Sequence, residues 1–261
     1  MASTSRGNEM TPTWINCSPP WHTIKSIHTT NITLRWWPTD SEESFNRMMQ
    51  DPVHREYFRE KGWDQPDSIS YKINSHGFRS EDFDPKADNL VALGCSFTMG
   101  IGLPYKDLWP SLVAQELNLR ACNFGWGGAS SDQCFRLGEY WIPYLKPKLV
   151  VLLNPPRGRM EVIVNEVTGE TECIMPMDAH PDPFIKKWLS VDENQKLNNR
   201  KNSLAIEAIC NRLGIPFLSY EADTWMSRSR EEAEYARDYM HAGPRGHKTF
   251  AERILDDWSK K

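Results

Sequence analysis

Three residues of this 261-residue chain have the types and neighbours that nucleophilic catalysis requires. Ser96 follows the apolar run 90–93 and is flanked by glycines, while Asp238 stands three residues before His241. A serine hydroxyl is a weak nucleophile unless a base takes its proton, and the usual base is a neutral histidine oriented by a carboxylate. The spacing of Asp238 and His241 lets the carboxylate reach one ring nitrogen and leaves the other for Ser96. These residues predict a Ser-His-Asp triad.

Two further stretches carry groups that would act on a substrate. The stretch 123–131, NFGWGGASS, contains glycines whose backbone N–H groups can face a ligand, and such groups near Ser96 would stabilise an oxyanion. The stretch 150–159, VVLLNPPRGR, places Asn154 at a strand end and Arg157 after two prolines. Asn154 can donate an amide N–H, and Arg157 offers a fork suited to a carboxylate or phosphate on the substrate. The alternative for these two residues is structural: Asn154 would cap the turn and Arg157 would be solvated.

Alternating strands and helices must position these residues. Short apolar runs alternate with helical patterns from about residue 88, which is typical of a parallel sheet covered by helices. The fold class predicted is α/β, a three-layer α/β/α sandwich with a mostly parallel, flavodoxin-like sheet. Ligands of such sheets bind at the carboxyl ends of the strands, where all the stretches above fall. The predicted strands are 89–94, 120–124, 149–153 and 216–219, and the predicted helices are 107–119 with Asp107 as cap, 130–145, 198–213 and 245–258.

Two segments lie outside this alternation. Residues 1–87 are expected to form an N-terminal extension packed on a catalytic domain at 88–261. Their tryptophans, at positions 14, 21, 36, 37 and 63, are expected in the core, with a sugar-stacking surface as the alternative. Residues 160–196 form an insertion, with a hairpin turning near Thr168–Gly169, that would lie over the site.

Short blocks of the chain resemble the SGNH, or GDSL-like, hydrolase family. The first block of that family is similar to Gly94-Cys95-Ser96-Phe97-Thr98, with Cys95 in place of an aspartate. The second is similar to Asn123 to Gly128, and the last to Asp238-x-x-His241. The third, Gly-x-Asn-Asp, is not matched, because the aligned residues are Asn154-Pro155-Pro156-Arg157. The resemblance covers about residues 88–255, and 71–83 also look like the segment leading into the first block.

The resemblance implies the SGNH hydrolase fold and a serine esterase acting on a small acyl group, such as acetyl on a carbohydrate. It assigns Ser96 as nucleophile, His241 as base, Asp238 as its partner, and Ser96 and Gly128 to the oxyanion hole. The residues themselves, and not the resemblance, suggest Asn154 as the third oxyanion donor and Arg157 as a substrate-binding residue. The family needs no metal or cofactor. Acyl transfer through the same site and a binding protein without turnover are the alternatives.

Composition excludes several other function classes. Lysine and arginine number 31 against 35 acidic residues, without a basic block, which argues against a nucleic-acid partner. No apolar run or signal-peptide pattern indicates membrane insertion or export, so a cytoplasmic location is expected.

The six cysteines form no C-x-x-C pair and are expected to be reduced thiols. A metal site at Asp238, His241 and His247 lacks a further ligand nearby, and GIGLPY at 100–105 lacks the third glycine of a dinucleotide loop. The expected partner is a small-molecule or carbohydrate ester, and the oligomeric state is left open.

Overall fold

The computed structural model describes residues 30–165, 170–175, 181–222 and 234–261. A four-stranded parallel sheet in the order β4-β3-β5-β8 forms its centre. Two antiparallel pairs, β1 with β2 and β6 with β7, lie outside it. The strands are β1 (Ile32–Leu34), β2 (Tyr71–Ile73), β3 (Asn89–Leu93), β4 (Arg120–Asn123), β5 (Leu149–Asn154), β6 (Met160–Asn165), β7 (Glu170–Ile174) and β8 (Phe217–Glu221).

Helices cover both faces of the central sheet. Helices α4 and α8 pack together on one face, and α5 and α7 pack together on the other. The predicted three-layer α/β arrangement with a parallel sheet is confirmed. The helices are α1 (Glu42–Gln50), α2 (Pro52–Lys61), α3 (Ser96–Met99), α4 (Trp109–Glu116), α5 (Ser131–Leu145), α6 (Pro183–Leu189), α7 (Asp192–Leu213) and α8 (Pro244–Ser259).

The two inner strands, β3 and β5, are apolar along most of their length because both of their faces are buried. Along β3, Leu90 and Ala92 enter the core beneath α4 and α8, whereas Val91 and Leu93 enter the core beneath α5 and α7. Side chains alternate between the faces of a strand, so a strand covered on both sides reads as a continuous apolar run. The same burial makes β3 a rigid base for the turn that follows it.

Two predicted helix starts are wrong. Asp107 does not cap α4, because it lies in a preceding 3₁₀ turn and the helix begins after Leu108. Helix α7 begins at Asp192, six residues before the predicted start. Its first turns carry no apolar stripe because Asn198 and Asn202 are buried against the carboxylate of Asp132. Hydrophobic periodicity cannot detect a helix face that is buried through hydrogen bonds.

Residues 30–87 contribute a pair of strands, a pair of helices and a large part of one core. Helix α2 was not predicted. Trp37 and Trp63 are each 3% exposed and belong to the core beneath α4 and α8, as expected, whereas Trp36 is half-buried and packs against that core. Trp14 and Trp21 lie outside the described residues.

The insertion contains the predicted hairpin, β6 and β7, whose turn at residues 168–169 lies outside the described residues. Arg136 of α5 holds the hairpin with a bidentate ion pair to Glu161, at 2.9 and 2.7 Å. The cysteines within the described ranges are all free thiols. None of the helices described is long and apolar enough to cross a membrane.

Candidate active site

Ser96 stands at the start of α3, immediately after the turn that leaves β3. The turn requires a glycine at position 94, because a Cβ there would lie 2.1 Å from Thr98 Oγ1 and 3.0 Å from the Leu153 carbonyl oxygen. Ser96 is 6% exposed. The N–H groups of Thr98 and Met99 donate to the Cys95 carbonyl at 2.9 and 3.0 Å and close this short helical turn. The fold therefore places the serine, with its own backbone N–H, at the start of a helical turn on the carboxyl edge of the sheet.

Asp238 and His241 form a buried pair on the loop that precedes α8. Asp238 Oδ2 lies 2.6 Å from His241 Nδ1, and Oδ1 accepts the backbone N–H groups of Met240 and His241 at 3.0 and 3.1 Å. Burial raises the pKa of the Asp238 carboxyl, but the hydrogen bonds and charge of His241 outweigh burial and hold that pKa below its ordinary value. Asp238 is thus a carboxylate that accepts a hydrogen bond from the Nδ1–H group of His241, which fixes the histidine tautomer.

The loop carrying His241 packs on the segment that follows Ser96. Arg237 donates its backbone N–H to the Gly102 carbonyl at 2.9 Å. A Cβ on Gly102 would lie 3.0 Å from the backbone nitrogens of Arg237 and Asp238, so the two segments are in backbone contact. The ring of Phe97, the residue after Ser96, lies 4.9 Å from the His241 ring. Two stretches almost 140 positions apart in sequence are neighbours here.

The glycine-rich stretch lies against α3 from the other side. Asn123 donates to the Thr98 carbonyl at 2.9 Å and accepts the Gly125 N–H at 2.9 Å. A Cβ on Gly125 would lie 2.2 Å from the Met99 nitrogen, so only glycine permits this approach. Gly128, at the end of the stretch, has a φ of +77°. Its neighbour Met175, just after β7, has its sulfur 3.4 Å from the position of a Gly128 Cβ.

Asn154 requires a correction to the predicted oxyanion hole. Its side chain is 2% exposed and donates to Ser219 Oγ at 3.1 Å and to Glu221 Oε1 at 3.0 Å. Both amide hydrogens are therefore used by the neighbouring strand β8, which a sequence cannot place beside β5. We do not retain Asn154 as an oxyanion donor.

The two arginines after Asn154 differ in their surroundings. Arg157 is exposed, whereas Arg159 is half-buried and donates to the Ala129 carbonyl at 3.2 Å. Ala129 follows Gly128, so Arg159 braces the glycine-rich stretch. Sequence reasoning did not single out Arg159, and its only signal was a second arginine two residues beyond Arg157.

His247 is a buried structural group at the start of α8. It is fully buried, and its Nδ1 accepts the Trp109 N–H at 3.0 Å, so it supplies the acceptor that Asp107 was expected to provide for α4. Burial, together with the charges of His241 and Arg79, lowers the pKa of His247 to about 3. Within the described ranges, no three His, Cys, Asp or Glu side chains are grouped to hold a metal ion.

The buried neutral His247 predicts loss of stability in mild acid. Unfolded histidine binds a proton near pH 6.5, whereas the folded state does so only near pH 3, so stability falls as pH falls through that window. The expected loss from this group between pH 7 and pH 5 is about 2 kcal/mol. Denaturant unfolding at both pH values should show a smaller loss for His247→Gln, which retains an acceptor for Trp109. An equal loss in the variant would contradict this assignment.

The sequence matches no protein-family model and no curated protein. Among solved structures, the chain is similar to the psychrotrophic esterase EstA from Pseudoalteromonas sp., at 11% identity, covering 66% of this chain and 97% of that chain, with a TM-score of 0.38. It is also similar to Est24, a carbohydrate acetylesterase from Sinorhizobium meliloti, at 13% identity over 66% and 98%, with a TM-score of 0.35. A GDSL-like lipase from Bacteroides thetaiotaomicron matches at 13% identity over 66% and 88%, with a TM-score of 0.34. Similarity at this level establishes neither activity nor substrate, so both depend on the geometry of the site.

Proposed function

We propose that this chain is a serine ester hydrolase. The observation that carries the proposal is the buried Asp238–His241 pair on a loop packed against the segment of Ser96, with the His241 ring touching Phe97. A buried carboxylate paired with a histidine beside a strand-end serine is the arrangement that activates a hydroxyl.

The proposed reaction proceeds through an acyl-enzyme. Ser96 Oγ forms a bond to the ester carbonyl carbon while its proton passes to His241 Nε2. The carbon–oxygen bond to the alcohol then breaks, and His241 returns the proton to the leaving oxygen. Water then forms a bond to the acyl carbon while losing a proton to His241, the bond from that carbon to Ser96 Oγ breaks, and His241 returns the proton to Ser96 Oγ as the acid leaves. Asp238 stabilises the imidazolium each time.

The backbone N–H groups of Ser96 and Gly128 are the proposed oxyanion donors. Ser96 begins a helix, and Asn123 and Gly125 hold the glycine-rich stretch against that helix. Preorganised donors stabilise charge in the transition state without reorganisation, which is the basis of their catalytic effect. With Asn154 engaged by β8, these two donors make up the proposed hole.

A small acyl group is the proposed substrate feature. Met175 and Phe97 are apolar side chains beside Gly128 and His241, and the Met175 sulfur lies 3.4 Å from the position of a Gly128 Cβ. The proposed substrate carries a short acyl chain such as acetyl, on a carbohydrate or another small alcohol, which would contact these two apolar side chains. A series of p-nitrophenyl esters should show kcat/KM falling as the acyl chain lengthens. Rates that rise with chain length would contradict the assignment.

A fluorophosphonate probe tests the reaction class directly. An activated Ser96 Oγ displaces fluoride and forms a bond to phosphorus, so mass spectrometry of the labelled protein should place the adduct on Ser96. An unlabelled protein would indicate a binding protein. Product analysis with an added alcohol or sugar separates hydrolysis from acyl transfer, since a transferase would form more of the new ester than of the free acid.

Arg157→Ala is expected to raise KM only for esters that carry a carboxylate or phosphate. The side chain is exposed and projects from the loop after β5, so its loss should leave the fold unchanged. A guanidinium contact of this kind acts on binding, so kcat should stay constant while KM rises about tenfold. The neutral ester with the same acyl group is the matched control. A KM change of less than about twofold for the anionic ester would remove Arg157 from the site.

A further inference from the structure

The loop 235–241 contacts two different parts of the molecule. Tyr235, Arg237 and Tyr239 contact residues 30–87, while Asp238 and His241 pair with each other on the side of Ser96. Residues 30–87 therefore touch three residues of the loop that carries the proposed base.

The first contact closes the base of the loop. Tyr57 of α2 donates its hydroxyl to the Tyr235 carbonyl at 2.6 Å and accepts the Tyr235 N–H at 3.2 Å. One hydroxyl thus satisfies both backbone groups of Tyr235. The loop is closed on itself at the same point, because Ala236 donates its N–H to the His241 carbonyl at 3.0 Å.

The second contact is a buried ion pair. Arg237 donates to both carboxylate oxygens of Asp40 at 2.9 and 2.7 Å, and the side chains are 0% and 2% exposed. Asp40 also accepts the Tyr71 hydroxyl at 2.6 Å, and that hydroxyl accepts the Gly102 N–H at 2.9 Å. Because Gly102 accepts the Arg237 N–H, the network joins the segment after Ser96 to the loop of His241.

A second buried arginine holds the Ser96 side of the network. Arg79 is 1% exposed and stacks on the Tyr71 ring at 4.3 Å. Its guanidinium donates to the backbone carbonyls of Gly100 and Leu103, on either side of Gly102. Residues 30–87 consequently hold both segments of the proposed site through buried polar side chains.

The third contact stabilises an unfavourable backbone conformation at Tyr239. Tyr239 has a φ of +55°, which is rare for a bulky side chain and costs free energy unless the surroundings hold it. Its ring packs on His54 at 4.4 Å and on Tyr57 and Phe58 at 5.7 and 5.8 Å, all on α2. Tyr239 lies between Asp238 and His241 in the chain, so its contacts with α2 hold the backbone that connects the pair.

We propose that residues 30–87 form the positioning scaffold of the catalytic base, with Asp40 and Arg237 as positioning residues that keep the Asp238–His241 pair in register with Ser96. The inference rests on the proposed function in taking Ser96 as the nucleophile. A buried ion pair is weak evidence for stability, because apolar residues of similar volume often replace one without loss. The pair joins the two segments of the site, so its proposed contribution is to fix the position of the His241 loop relative to the Ser96 segment.

The test replaces the pair by Asp40→Leu combined with Arg237→Met. This double variant removes both charges of the pair together, so neither is left without the other, and it is expected to unfold near the temperature of the unmodified protein. Displacement of reacting groups by about 1 Å costs about a hundredfold in rate, so kcat and the rate of fluorophosphonate labelling should fall by that factor. KM should change little, because neither residue meets substrate.

Tyr71→Phe provides a second route should the double variant fail to fold. It removes the hydroxyl between Asp40 and Gly102 while keeping both charges, and labelling is expected to slow about tenfold. Tyr220→Phe is the matched control, because its hydroxyl donates at 3.0 Å to Asp257 on α8, outside both segments. The labelling rate of the control should match that of the unmodified protein. A folded double variant or Tyr71→Phe with an unchanged labelling rate would overturn the proposal.

A proton NMR measurement tests the positioning role independently of esterase activity. The proton shared by His241 Nδ1 and Asp238 should give a far-downfield line that is absent in His241→Gln. The line should shift or broaden in the Asp40→Leu, Arg237→Met variant and stay in place in Tyr220→Phe. Should the unmodified protein fail to label while the line still moves, the esterase proposal fails and the positioning role stands. A line that does not move in the folded double variant overturns the positioning role.

Discussion

Ser96→Ala is expected to lower kcat for a small acyl ester by at least about a thousandfold. The change removes the only atom that forms the covalent bond, while the backbone donors of α3 and the glycine-rich stretch remain. Loss of one hydroxyl at the start of a short helix opens no core cavity, so the melting temperature should stay close to that of the unmodified protein. Steady-state kinetics and thermal unfolding on the same preparation measure both.

Ser111→Ala is the matched control for this experiment. Ser111 lies on α4, away from the proposed site, and its hydroxyl donates at 2.7 Å to the Tyr105 carbonyl. The kinetics of the Ser111→Ala variant should therefore be unchanged. The fluorophosphonate adduct should vanish in Ser96→Ala and persist in Ser111→Ala. Full activity in the Ser96 variant would eliminate the covalent mechanism.

Asp238→Asn is expected to lower kcat by about ten-thousandfold. The asparagine oxygen still accepts the N–H groups of Met240 and His241, so the loop keeps its shape. Its amide group, however, offers hydrogens to Nδ1, and the ring proton moves to the nitrogen that must act as base. The loss then arises from the tautomer and not from a displaced loop, and pH–rate profiles of both proteins measure it.

The same variant has a predictable effect on stability. Because the folded-state pKa of Asp238 is depressed, its stabilising contribution is present above its unfolded value of 3.8 and is lost as pH falls through the folded value. The stability difference between the unmodified protein and Asp238→Asn should therefore shrink in strong acid. Asp257→Asn, on α8, is the control for loss of a carboxylate elsewhere. A difference that stays constant with pH would contradict the assigned ion pair.

Local residue types determined the framework of this protein. The apolar runs of β3 and β5, the cap of α5 at Ser130 and the stop of α7 at Gly214 depend on neighbours a few residues away, and they fall within a residue of their predicted places. The pairing of Asp238 with His241 belongs to the same class, because three residues of spacing suffice to bring their side chains together.

Only the tertiary structure determined the hydrogen-bond partners of buried polar side chains from distant segments. No local pattern shows that Asn154 gives both amide hydrogens to β8, or that His247 replaces Asp107 at the start of α4. The ion pair between Asp40 and Arg237 joins residues 197 positions apart. Such contacts form only when distant segments pack, and their free energy comes from burial and hydrogen bonding across elements, which the order of residues along one element does not encode.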